Sequence, residues 1–60
     1  MTDKQLKRLA IAHGWIKERN GSKHEKWTHK SGNVMTIPYR PKEHTARHIA
    51  RRLVTLSTAQ

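Results

Sequence analysis

Asn20-Gly21-Ser22-Lys23-His24-Glu25-Lys26-Trp27-Thr28-His29 holds a turn signal followed by a segment with a single large apolar side chain. Asn-Gly is a favoured pair at the centre of a β-hairpin, because both residues tolerate positive φ. Successive strand side chains point to opposite faces, so the parity of Trp27 sorts the whole segment. Trp27 must face a core; Glu25 and His29 share its parity and are expected near the rim of the sheet. His24, Lys26 and Thr28 then face the other way, toward solvent.

Working toward the N-terminus, Trp15 to Arg19 reads as the strand that pairs across this turn. Its facing is open, since Trp15 and Ile16 are both apolar. Before it, Thr2-Asp3-Lys4-Gln5 has the form of a capping box, with Thr2 as N-cap. Leu6, Leu9, Ala10 and His13 follow at helical spacing, and Gly14 suits the left-handed position that ends a helix. Lys4, Lys7 and Arg8 are expected on the opposite side. Ile11 lies off the apolar stripe, as a solitary exposed residue or as part of a partner contact.

Toward the C-terminus, Thr28 to Asn33 contains a second turn with Gly32. Val34-Met35-Thr36-Ile37 reads as a third strand, stopped or edged by Pro38. A loop from Tyr39 to His44 leads to Thr45, the expected cap of a helix from Ala46 to about Leu56. Ala46, Ile49, Ala50 and Leu53 are its apolar stripe, with Arg47, His48, Arg51 and Arg52 outward. Residues 57–60 are expected to fray. The order is α-β-β-β-α, an α+β class. A three-stranded antiparallel sheet carrying both helices on one face would enclose Leu6, Leu9, Trp27, Met35, Ile37, Ile49 and Leu53. Residues 1–60 make one domain, with an ordered core expected over about 3–56.

Composition narrows the function. Thirteen Lys and Arg stand against four Asp and Glu, a net charge of +9, spread from Lys4 to Arg52 rather than gathered in a tail. Neutralising phosphates releases counterions, so a folded domain with this field is suited to polyanions. Nucleic acid, an acidic protein and anionic lipid are the candidate classes. There is no cysteine, which excludes disulfides and thiolate metal sites. No apolar run has the length of a membrane span and no signal-peptide pattern is seen, so a cytoplasmic protein without a membrane partner is expected.

The chemistry concentrates at His24. An imidazole exchanges protons near neutral pH, so it can take one from a ribose 2′-OH or give one to a leaving 5′-oxygen. Lys23 and Lys26 are placed to stabilise charge developing on a phosphorane. RNA supplies its own nucleophile, so no metal or other cofactor is required. The plainer reading of His24 is a surface histidine in a basic strand. His13 near a helix end reads as capping or packing. His44 and His48 have helical metal-ligand spacing but no third ligand nearby. His24 to His29 is one residue too long for H-E-x-x-H. Trp15, Trp27 and Tyr39 raise base stacking; Trp27 belongs to the core, which leaves Tyr39 as the better candidate.

Several elements occur in a recognisable order: Leu6-x-x-Leu9-Ala10 ending in Gly14-Trp15, then Gly21-Ser22-Lys23-His24, Trp27, Val34-Met35-Thr36-Ile37-Pro38, and a basic helix with Ile49 and Leu53. Over about residues 4–54 the chain resembles the HicA toxins, mRNA interferases of bacterial type II toxin–antitoxin systems. The resemblance implies a double-stranded-RNA-binding-domain-like fold and metal-independent cleavage of mRNA, with His24 at the catalytic position. It also implies a HicB-like antitoxin that covers the active site; a free monomer is the default expectation, with a larger complex when the antitoxin binds. Many members carry histidine at both positions after Gly-Ser; here the first is Lys23, which removes a possible second acid/base. RNA contacts are expected from Ser22, Lys23 and Lys26 beside His24, and from Lys4, Lys7, Arg47 and Arg51 on the helices. Two alternatives stand beside the nuclease: a non-catalytic RNA-binding module of the same fold, and a basic adaptor for an acidic protein.

Overall fold

The Thr2 hydroxyl accepts from the Gln5 amide at 3.3 Å, and the Gln5 side chain accepts from the Thr2 amide at 2.9 Å. Both halves of the expected capping box are thus formed in the computed structural model, which describes residues 2–57. Helix α1 spans Asp3–Ala12, and the chain turns out of it at Gly14, whose φ is +85°. Strands β1 (Trp15–Asn20), β2 (His24–His29) and β3 (Val34–Pro38) follow, then helix α2 (Glu43–Ser57). The sheet is antiparallel in the order β1-β2-β3, so the strand carrying His24 and Trp27 is central.

One face of the sheet is covered and the other is open. Trp15, Trp27, Met35 and Ile37 are buried against Leu6 and Ala10 of α1 and Ala46, Ile49 and Leu53 of α2. Leu9 packs against this core only half-buried. The facing of β1 resolves in favour of Trp15: its indole N–H donates to the Leu53 carbonyl at 3.1 Å, while Ile16 is 67% exposed opposite Thr28. A buried indole needs a partner for its N–H, and the helix backbone supplies it.

Glu25 and His29 are not at the rim. They are buried on the helix side, at 3% and 8% exposure. Each is tolerated there because its polar atoms are matched. The Glu25 carboxylate accepts from the Trp27 indole at 3.1 Å and lies 3.0 Å from the Lys7 ammonium and 3.8 Å from that of Lys17. The His29 Nδ1 accepts the Ser31 amide at 3.0 Å, so Nε2 must carry the proton that it donates to the His13 carbonyl at 2.9 Å. His29 therefore ties the second turn to the end of α1, with its ring 5.1 Å from that of Trp15.

Thr45 is not the cap of α2. The helix begins two residues earlier, with the Ala46 amide bonded to the Lys42 carbonyl at 2.8 Å. An acidic residue in the first turn, Glu43, suits the helix dipole there. Ser57 is helical rather than frayed, its hydroxyl donating to the Val54 carbonyl at 2.7 Å. The expected fraying of residues 58–60 lies outside the described residues. Asn33 and Ser31 donate to the Leu56 carbonyl at 3.1 and 3.3 Å, pinning the far end of α2 to the β2–β3 turn. No helix among the described residues is long and apolar enough to cross a membrane.

Candidate functional site

Gly21 sets the position of His24. Its amide donates to the His24 carbonyl at 2.7 Å, closing the β1–β2 turn. A Cβ at Gly21 would stand 2.6 Å from that oxygen, closer than any real side chain allows. The Tyr39 hydroxyl donates to the Gly21 carbonyl at 2.7 Å, and the Tyr39 amide reaches the Lys23 carbonyl at 3.3 Å. Tyr39 is thus a half-buried strut against the turn rather than a free stacking platform. His24 enters β2 with its cross-strand partner Pro38 beside it and its side chain exposed on the open face.

The open face is ordered in rows across the sheet. Ile16, Thr28 and Val34 form one row, and Arg19, Lys26 and Thr36 the next. His24 stands at the end beyond them. Arg19 occupies its row because β1 carries a bulge: Lys17 pairs with Trp27, yet Arg19 pairs with Lys26, so Glu18 is the extra residue. Strict alternation from Lys17 would have turned Arg19 toward the helices. The bulge instead delivers it to the face of His24, beside a shallow cleft of about 140 Å³ whose lining includes Arg19, His24, Lys26 and Thr36.

Charge within the cleft is unevenly satisfied. The Lys26 ammonium lies 3.4 Å from the Glu18 carboxylate, which holds it over the sheet. Arg19 has no carboxylate partner among the described residues. Its planar donors are suited to bidentate contact with a phosphate, which an ammonium cannot make. Nothing in the residue pattern marked Arg19, since a bulge between charged residues leaves no compositional trace.

The remaining expected contacts divide by face. Ser22 and Lys23 are exposed in the turn before His24, next to the cleft. Lys4, Lys7, Arg47 and Arg51 belong to the helical layer behind the sheet and do not converge with His24. Lys7 is committed to Glu25 and to Asp3, at 3.0 and 3.4 Å. Its hydrogen bond to Glu25, reinforced by both carboxylates, holds its ammonium above the ordinary lysine range despite the opposing effect of burial. Arg47 lies 3.6 Å from Glu43 along the same helix. Helix α2 is basic outward at Arg47 and Arg51 as expected, but His48 and Arg52 line its flank along β3.

No protein-family model matches the chain, and no curated protein or solved structure does either. The chemistry of the site therefore stands on its own residues.

Two of the other histidines are structural. The His13 Nδ1–H donates to the Leu9 carbonyl at 3.0 Å, a C-terminal cap on α1. His29 faces the opposite side of the sheet from His24, with both nitrogens engaged. Among the described residues no group of three or more His, Asp or Glu side chains could hold a metal ion. Among the described residues that line the cleft, His24 is the only histidine. The arrangement offers one proton-exchanging group, one free guanidinium and one ammonium around an open surface.

Proposed function

We propose that this protein is an endoribonuclease toxin of a type II toxin–antitoxin pair, working in the cytoplasm and cutting mRNA at His24. The observation that carries the reading is the exposed His24, fixed by the Gly21 turn beside Arg19 and Lys26 on a sheet face that neither described helix covers. The order of motifs shared with the HicA toxins supports the same reading.

His24 takes the proton of a ribose 2′-OH while that oxygen bonds to phosphorus. The bond from phosphorus to the 5′-oxygen breaks, leaving a 2′,3′-cyclic phosphate and a 5′-hydroxyl that takes its proton from solvent or from Lys26. Arg19 and Lys26 stabilise the added charge on the phosphoryl oxygens as the transition state forms. RNA brings the nucleophile, so the step needs no cofactor. The partners of this reading are mRNA and a HicB-like antitoxin. The free toxin is a monomer and enters a larger complex with the antitoxin.

A non-catalytic RNA-binding module is favoured by one feature: the cleft contains a single histidine, with Lys23 where a second could stand. Expression of the chain alone separates the two. The nuclease arrests growth and yields RNA ending in 2′,3′-cyclic phosphate, and His24→Ala removes both effects while the protein stays folded and RNA-bound. Full toxicity of His24→Ala would reject the catalytic role. Salt-dependent RNA binding without shortening of the RNA would identify the binding module.

A further inference from the structure

The two edges of the sheet are built differently. The β1 edge is broken by its bulge and carries Lys17, Glu18 and Arg19, the usual protection against strand pairing. The β3 edge, Val34-Met35-Thr36-Ile37-Pro38, has no charged residue and no bulge. Its hydrogen bonding can be assigned from the register. The His29 amide reaches the Asn33 carbonyl at 3.0 Å and the Tyr39 amide reaches the Lys23 carbonyl at 3.3 Å. These bracket the β2–β3 ladder, so the alternating pairs between them, Met35 with Trp27 and Ile37 with Glu25, exchange their bonds inward. The amides and carbonyls of Val34 and Thr36, with the Pro38 carbonyl, therefore point outward.

Outside that edge lies a groove of about 500 Å³, walled by Thr45, His48 and Arg52 on the flank of α2. Met35 and Ile49 lie on its apolar side. On the open face beside it, Val34 is 52% exposed. We infer that β3 is a docking edge, and that an extended acidic segment of a protein partner adds to it as a fourth strand. The amides of Val34 and Thr36 hold its backbone. Apolar residues at alternate positions turn toward Met35 and Ile49. Acidic residues between them share the open face with Lys26 and Arg19, two and three strand spacings away, while Arg52 lines the groove itself.

Charge selects this occupant over a second copy of the chain. Two copies joined at β3 would bring together two bodies of net charge +9, whereas an acidic strand relieves that field. The inference does not depend on His24 being catalytic. It does put the bound strand beside Pro38, the cross-strand neighbour of His24, where a partner would overhang the cleft.

The test uses a short N-acetylated, C-amidated peptide of alternating glutamate and valine, titrated into the whole protein. Saturable binding is expected, with slowed hydrogen exchange at the Val34 and Thr36 amides and none added at Met35 or Ile37. Thr36→Pro removes an outward N–H that the β2–β3 ladder does not use, and should weaken binding about tenfold. If that variant does not fold, the exchange pattern of the unmodified protein decides alone. Absence of binding, binding without protection at Val34 and Thr36, or unchanged affinity in folded Thr36→Pro would each overturn the inference. So would equal affinity for a glutamate–serine peptide, which would show attraction by charge alone.

Discussion

The Gly21 amide and the His24 carbonyl are 2.7 Å apart, and the α-carbon of Gly21 sits so close that any side chain there would strike that carbonyl. The position of the cleft histidine is thus set by a glycine three residues before it. Gly21→Ala must displace either the turn or the start of β2. A loss of about 1–3 kcal/mol is expected, seen as a lower thermal midpoint of roughly 4–8 °C per kcal/mol for a domain of this size. RNA cleavage should fall by more than the unfolded fraction accounts for, while Ser22→Ala should leave the midpoint nearly unchanged.

Arg19 and Lys7 are both basic, yet only Arg19 lies on the cleft side. Arg19→Ala should weaken RNA binding severalfold and reduce the salt dependence by about one phosphate contact, with little change in stability. Equal salt slopes for Arg19→Ala and the parent protein would remove Arg19 from the interface.

Lys7→Met should leave that salt slope alone and destabilise the fold. It leaves the buried Glu25 carboxylate with the Trp27 indole and the more distant Lys17. Because Lys7 is itself partly exposed, the expected cost is about 1–3 kcal/mol, below that of breaking a fully buried pair. Urea denaturation at neutral pH measures it. The pH dependence has a definite sign. Lys7 is held above its ordinary range by Glu25, so its contribution is complete at neutral pH. It is lost as pH rises past about 10.4, the unfolded value, and on through the raised folded one. Lys7→Met should therefore lose less stability than the parent between pH 9 and pH 12; identical alkaline profiles would show that the pair contributes nothing.

His29 and Gly14 form a second tie. Gly14 has φ +85°, and a Cβ there would come within 3.3 Å of the His29 Nε2. Gly14→Ala combines backbone strain with that contact and should cost about 1–2 kcal/mol. His29→Phe keeps the ring but strands the Ser31 amide and the His13 carbonyl, an expected loss of about 2–4 kcal/mol. Both are read by thermal denaturation. A midpoint unchanged in His29→Phe would show that water replaces these bonds without penalty.

The elements themselves were legible because each is written in local chemistry. Thr2 and Gln5 can satisfy each other within one helical turn, and Gly14 ends that helix because only a residue without Cβ is comfortable at its φ. Asn20-Gly21 announced a turn, but its centre is Ser22-Lys23: Asn20 ends β1 opposite Glu25, and neither Asn20 nor Gly21 has a positive φ. Trp27 sorted β2 into two faces. The start of α2 was less legible. Thr45 is a good cap by residue type, but the helix begins at Glu43, whose charge suits the dipole without a capping hydroxyl.

Parity along a single strand thus placed His24 and Lys26 together on the open face, and the periodicity of two helices showed which face would be covered. Tertiary structure determined the rest, because it depends on pairing between distant residues. Glu25 and His29 are buried rather than marginal because Lys7, Trp27, Ser31 and His13 meet their polar atoms. Arg19 joins the cleft because β1 and β2 pair out of step by one residue, which reverses its face. The groove along β3 exists because that strand is an edge and α2 stands off from it. Local sequence sets the alternation along a regular strand; only the neighbouring strand sets where that alternation breaks and what lies beside each side chain.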